Sequence, residues 1–172
     1  ATHPWVSEKI DALVLNHGRY DRIDAKDLDI EHLRRTMSTN FDGAFLIWDS
    51  VKKHLTDSAR ICVIGSQLGT RGSTHGADYS ASKAALEVWA KSLAMKLGPE
   101  GKRVNIVAPG FVDTDILAGD SDEKRASRIE EVPLKRIGTP EDIAHTVSFL
   151  LSEKSAYITG VVVNVNGGLY LP

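Results

Sequence analysis

Apolar residues along the chain gather into four short runs separated by longer amphipathic stretches. The runs are DALVLN (11–16), RICVIG (60–65), RVNIVAPG (103–110) and GVVVNVNGG (160–168). Three are almost continuously apolar and rich in β-branched residues, which is the pattern of strands covered on both faces in a parallel sheet. Between them the spacing predicts helices over 28–55, with a possible break, over 78–97 and over 140–152. The last opens TPEDIAHTV, with a threonine for the N-cap, proline in the first turn and acids behind it. Strand–helix alternation with crossovers of this length predicts an α/β domain with a parallel sheet of about four strands and flanking helices. The segment DTDILAGDSDEKRASRIEEVPLKRI (113–137) is charged and irregular and reads as a mobile excursion over one sheet edge.

At 172 residues the chain reads as a single domain, 1–172, long enough to bury a core. With 21 basic and 23 acidic residues, a net charge of −2 favours neither nucleic acid nor an anionic membrane as partner. The single cysteine, Cys62, sits inside an apolar run, and a cytoplasmic location is expected. No stretch has membrane-spanning length, and the six histidines show no metal-ligand spacing.

Ligands of open parallel sheets sit beyond the carboxyl ends of the strands, so the residues there carry the functional reading. Asn16 and Gly18 follow the first run, Gly65 and Ser66 the second, and Pro109, Gly110 and Thr114 the third. Tyr79 opens the helix after the second run, and Lys83 stands four residues on, on the same helix face. A phenol with pKa near 10 is a poor proton donor or acceptor at neutral pH. A neighbouring ammonium stabilises phenolate and is expected to lower that value toward the working range. Ser66 can hold a substrate oxygen, and Asn40, an unusual residue inside a helix, can anchor a water that relays the proton. Together these residues suit interconversion of a carbonyl and an alcohol.

The constellation resembles the short-chain dehydrogenase/reductase family over essentially the whole chain. Its Y-x-x-x-K appears as Tyr79 to Lys83, its serine as Ser66 thirteen residues upstream, and its asparagine as Asn40. Its P-G-x-x-x-T appears as Pro109, Gly110, Phe111, Val112, Asp113 and Thr114, and RIGTPEDIAHTVSFLLSEKSAYITGVVVNVNGG follows its closing pattern. The resemblance implies a Rossmann-like fold and hydride transfer between NAD or NADP and a ketone or alcohol. Tyr79 would be the acid/base, and Ser66, Lys83 and Asn40 its catalytic partners. Asn16, Gly18, Tyr79, Lys83, Pro109, Gly110, Val112 and Thr114 would line the nicotinamide end.

The substrate reading is a 3-oxoacyl compound or another small carbonyl, closest in pattern to 3-oxoacyl-[acyl-carrier-protein] reductases. Where those reductases place arginines for an acidic carrier protein, this sequence has Asp57 and Glu100, with Lys52, Lys53, Lys102 and Arg103 nearby. The family's N-N-A-G turn reads Leu15-Asn16-His17-Gly18, which sets a bulkier side chain toward the cofactor region. The T-G-x-x-x-G-x-G turn is absent; GSQLGTRG (65–72) has different spacing and belongs to the serine loop. The 172 residues therefore read as the C-terminal two-thirds of the family fold, holding NAD or NADP weakly by themselves. The alternative function is a non-catalytic relative serving as an assembly or binding module. A homo-oligomer, dimer or tetramer, is expected through the two helices carrying Asn40 and Tyr79, with Phe45, Trp48, Leu86, Trp89 and Leu93 as candidate contacts. The apolar strand at 11–16, if left as an edge, is expected to recruit another strand.

Overall fold

The computed structural model describes residues 9–172. Four parallel strands lie in the order in which they occur: β1 (Ile10–Leu15), β2 (Leu55–Ile64), β3 (Arg103–Pro109) and β4 (Val162–Val165). Each of the four apolar runs contains a strand, although β2 begins five residues before its run, at Leu55. β2 and β3 pair in register from Arg60 opposite Arg103 to Ile64 opposite Val107, which brings Gly65 level with the end of β3. The Gly65 N–H donates to the Val107 carbonyl at 2.8 Å.

Alternation along the strands divides the core into two layers. Ile61 and Val63 of β2, with Val104 and Ile106 of β3, pack beneath helix α4 (Ala77–Leu97) on Leu86, Ala90, Ala94 and Leu97. Cys62, Ile64 and Val107 face the other way, against Leu150 of helix α6 (Pro140–Leu151). Helix α6 starts as its sequence predicts: the Thr139 side chain accepts from the Asp142 N–H, and Asp142 accepts in return from the Thr139 N–H.

The long helix expected over 28–55 is broken. Helix α1 (Ile30–Met37) passes through a π-helical turn, Ser38–Asp42, into α2 (Gly43–Val51). Two short elements were not expected: α3 (Gln67–Arg71) just after Ser66, and α5 (Asp122–Glu131) within the charged excursion. That excursion is pinned rather than loose. The Arg128 guanidinium donates twice to the Asp120 carboxylate and lies 4.3 Å from the Phe111 ring centroid. Arg22, in the loop after β1, reaches the same carboxylate at 3.0 Å. Part of the charge in 113–137, at Asp120 and Arg128, is spent on internal pairing rather than on solvent.

Candidate active site

The ends of β1, β2 and β3 and the start of α4 converge on one cavity of about 290 Å³. Every residue expected at the site lines it except Asn40: Asn16, Gly18, Ser66, Tyr79, Lys83, Pro109, Gly110, Val112 and Thr114. Ser66 caps α3, its hydroxyl accepting from the Leu68 N–H at 3.2 Å, so the extended backbone at the strand end turns directly into a helix there.

Tyr79 enters in the first turn of α4, its ring 4.7 Å from that of Tyr20. The Lys83 ammonium lies 5.6 Å from the centre of the Tyr79 ring and donates to the Ile64 carbonyl at 2.9 Å. The shared helix face is therefore as expected, but the electrostatic balance differs. Burial pushes the Tyr79 phenol up to about 12, against a smaller opposing pull from the Ser66 hydroxyl. Burial also brings Lys83 down to about 8. Desolvation dominates at Tyr79, so the phenol remains a protonated donor throughout the neutral range.

Asn40 lies behind the cavity wall, fully buried in the π-helical turn. Its Oδ1 accepts from the Arg19 N–H at 2.7 Å, and its Nδ2 donates to the Arg19 carbonyl at 3.0 Å and to Ser82 Oγ at 2.9 Å. Ser82 passes the link on, donating to the Tyr79 carbonyl at 2.7 Å. The Asn40 side chain is thus committed to protein partners and braces the Tyr79 turn. A second strut joins the same helices: the Thr36 hydroxyl donates to the buried Asp78 carboxylate at 2.6 Å. Neither Ser82 nor Asp78 was singled out in the sequence; both flank the tyrosine–lysine pair, and only the fold shows what they hold.

His17, expected to crowd the cofactor, is not among the cavity residues. Its ring instead fills the space that Gly43 leaves free, where an added Cβ would lie 2.8 Å from Nε2. Arg103, considered for carrier-protein docking, is buried and donates to the Ile158 and Ser152 carbonyls. Lys102 is paired with Glu100 at 2.8 Å.

The enoyl-(acyl carrier protein) reductase family profile matches residues 2–170. The 3-oxoacyl-[acyl-carrier-protein] reductase of Escherichia coli is 39% identical over 166 residues, covering 95% of this chain and 68% of that protein. The reductase of the same name from Aquifex aeolicus is 39% identical, with 94% and 66% covered. Among solved structures, a short-chain dehydrogenase/reductase from Brucella melitensis, titled a glucose/ribitol dehydrogenase, superposes with a TM-score of 0.91 at 31% identity, covering 95% of this chain and 66% of that one. A short-chain dehydrogenase from Francisella tularensis gives 0.88 at 32%, with 95% and 72% covered. The chain belongs to the short-chain dehydrogenase/reductase family. It spans about two thirds of the length of these relatives. Among the described residues, no helix is long and apolar enough to cross a membrane.

The cavity suits the nicotinamide end of the dinucleotide used across the family. Gly110 allows the floor to form, since a Cβ there would lie 2.7 Å from Asn166 Cβ. Lys83 spends one N–H on Ile64 among the described residues, leaving donors for hydroxyl groups beside it. Asn16, Gly18, Ile64, Pro109, Val112 and Thr114 complete a pocket wall with both apolar surface and hydrogen-bonding groups.

Proposed function

We propose that this chain carries the proton-transfer site of an NAD(P)-dependent oxidoreductase that interconverts a small carbonyl compound and its alcohol. The observation that supports it best is the convergence of Ser66, Tyr79 and Lys83 on one cavity beside a wall suited to nicotinamide. When bound, the dinucleotide supplies or accepts the hydride. Ser66 holds the substrate oxygen by hydrogen bond, and the protonated Tyr79 hydroxyl donates its proton to that oxygen as negative charge develops on it. The Lys83 ammonium stabilises the phenolate left behind, and the Asn40–Ser82 link keeps the tyrosine turn in place. In reverse, Tyr79 must first lose its proton, which its burial opposes.

A small carbonyl fits better than an acyl chain on a carrier protein. The surface that would receive an acidic carrier presents Asp57 and Glu100; of the nearby cations, Lys52 pairs with Asp49, Lys102 with Glu100 and Arg103 with backbone carbonyls, and Lys53 is the exposed one without a partner among the described residues. NAD or NADP is the cofactor class, held weakly by these residues alone because the pyrophosphate-binding glycine turn is not in the sequence.

The test is consumption of NADH or NADPH with small ketones as a function of pH. Reduction is expected to hold at neutral pH and to decline as pH rises through about 8, where Lys83 loses its proton. The Tyr79 hydroxyl, shifted to about 12, stays intact over that range. A reduction rate that climbs steadily from pH 7 to 10 would contradict the assignment.

Homo-oligomerisation belongs to the same proposal, with Phe45 kept from the expected contacts and the others replaced. Trp48 and Leu86 are buried in the core of this chain, and Trp89 and Leu93 pack partly against it. Phe45, Leu46 and Ile47 of α2 and Val88 and Met95 of α4 are exposed, Met95 by 75%. Such an apolar patch on two adjacent helices supports pairing with a second copy. Among the described residues β1 lies at the sheet edge, with Val14 42% exposed, which adds a second surface for association. Sedimentation at micromolar concentration is expected to show a dimer or larger, and a clean monomer would reject the proposal.

A further inference from the structure

Beside the reacting groups the cavity holds a polar side chain with no role in proton transfer. Gln67 follows Ser66 in the first turn of α3, lines the cavity, and is only 2% exposed. Its amide orientation is fixed from the far end. Asn166 accepts the Gly168 N–H at its Oδ1 (3.0 Å) and donates from Nδ2 to the Tyr170 carbonyl (2.8 Å), so neither end of that amide can be exchanged for the other. The same Nδ2 donates to Gln67 Oε1 at 3.1 Å. Close packing of Asn166 on Gly110 holds it there. The Gln67 oxygen is therefore spoken for, and its NH₂ is the free end, with no acceptor among the described residues.

That NH₂ opens onto the cavity, where solvent reaches it, and a donor cut off from water without a new partner costs more than the bond itself contributes. The rest of the cavity offers it little. Leu68, Phe111, Ile116 and Leu117 are apolar, and the Arg128 guanidinium is occupied by Asp120 and has no acceptor to give. A ligand carrying only the reacting oxygen, held by Ser66 and Tyr79, would leave the Gln67 N–H pair dry.

We propose that Gln67 reads a second oxygen on the substrate, so that the site selects oxygenated ketones (keto esters, diketones, hydroxyketones) over plain ketones of the same shape. This rests on the carbonyl-reduction reading for its substrate type, but its test does not require turnover. Nitrogen-labelled protein is titrated with ethyl acetoacetate and with its de-oxygenated counterpart, methyl pentyl ketone, and the Gln67 side-chain amide signals are followed by NMR. Their assignment comes from their loss in Gln67→Met. The ester is expected to move those signals and to bind about tenfold more tightly than the ketone, the worth of one added hydrogen bond. In Gln67→Met, and in Gln67→Glu, which keeps an acceptor for Asn166 but removes the donor, the two ligands should bind alike. Tyr79→Phe should keep the preference. Equal binding by the parent, a preference that survives both Gln67 variants, or no binding of either ligand would overturn the proposal. A preference that depends on Gln67 in a protein showing no hydride transfer even at saturating NADH or NADPH would instead sink the reduction reading and leave this site standing.

Discussion

Tyr79→Phe is expected to cut carbonyl reduction by about a hundred- to ten-thousandfold, the usual worth of a positioned general acid, with little change in melting temperature. The substitution removes one oxygen and nothing that holds the turn together. The ring keeps its contact with Tyr20, and the Ser82 bond to residue 79 uses the backbone carbonyl rather than the side chain. Burial leaves the phenol protonated at neutral pH, so the lost atom is the proton donor itself and not a spectator. The loss should fall on kcat, with KM for the ketone changing far less, because proton donation strengthens only as charge builds on the substrate oxygen. Turnover by the variant within a few-fold of the parent would end the proposed role of Tyr79.

The strands were legible because each apolar run is short and closes on a glycine or an asparagine, and the last three are rich in β-branched residues. The tyrosine helix was legible because its motif and its periodicity agree. The break in the first long helix was anticipated only as a possibility. A π-helical turn costs one extra residue, and nothing local in STNFD reports the Arg19 and Ser82 partners, which lie 21 and 42 positions away, that hold it. The segment 113–137 differed in another way: it read as an irregular excursion, whereas Asp120 and Arg128 within it are shielded because Phe111 and Arg22 arrive from outside it. The same limit applies to Tyr79 and Lys83. Spacing shows that the two side chains share a face; it does not show how much water is excluded around them, and the exclusion decides the direction of both shifts. Gln67 went unremarked because only Asn166, 99 positions on, reveals which end of its amide is free.

Lys83→Met is expected to make the protein more stable at neutral pH while reducing its turnover by orders of magnitude. Lys83 is 3% exposed, and its hydrogen bond to the Ile64 carbonyl is the only one it makes among the described residues. None of the ion pairs among those residues includes it. Its pKa is lowered from 10.5 to about 8 by burial, so the folded chain at pH 7 carries an ammonium that the unfolded chain solvates better. The shift corresponds to about 3 kcal/mol of penalty on the charged form. Methionine keeps the stem's packing and removes the charge, and it forfeits the bond to Ile64, whose carbonyl lies beside the cavity where water can replace the donor. The net gain should be about 1–2 kcal/mol, within the range seen when buried charges give way to apolar residues. The sign then changes with pH in a defined window. Above about 8 the folded parent releases this proton while the unfolded chain holds it until about 10.5, so the parent gains stability as pH rises between those values and the advantage of the variant shrinks. Melting curves of both proteins at pH 7 and pH 10 measure this directly. A variant that melts below the parent at pH 7, or a gap that widens toward pH 10, would show that the ammonium is better paired than its surroundings indicate. If the expected pattern holds, the cation is kept at a cost to the fold, and the phenolate it stabilises in the reaction is the reason.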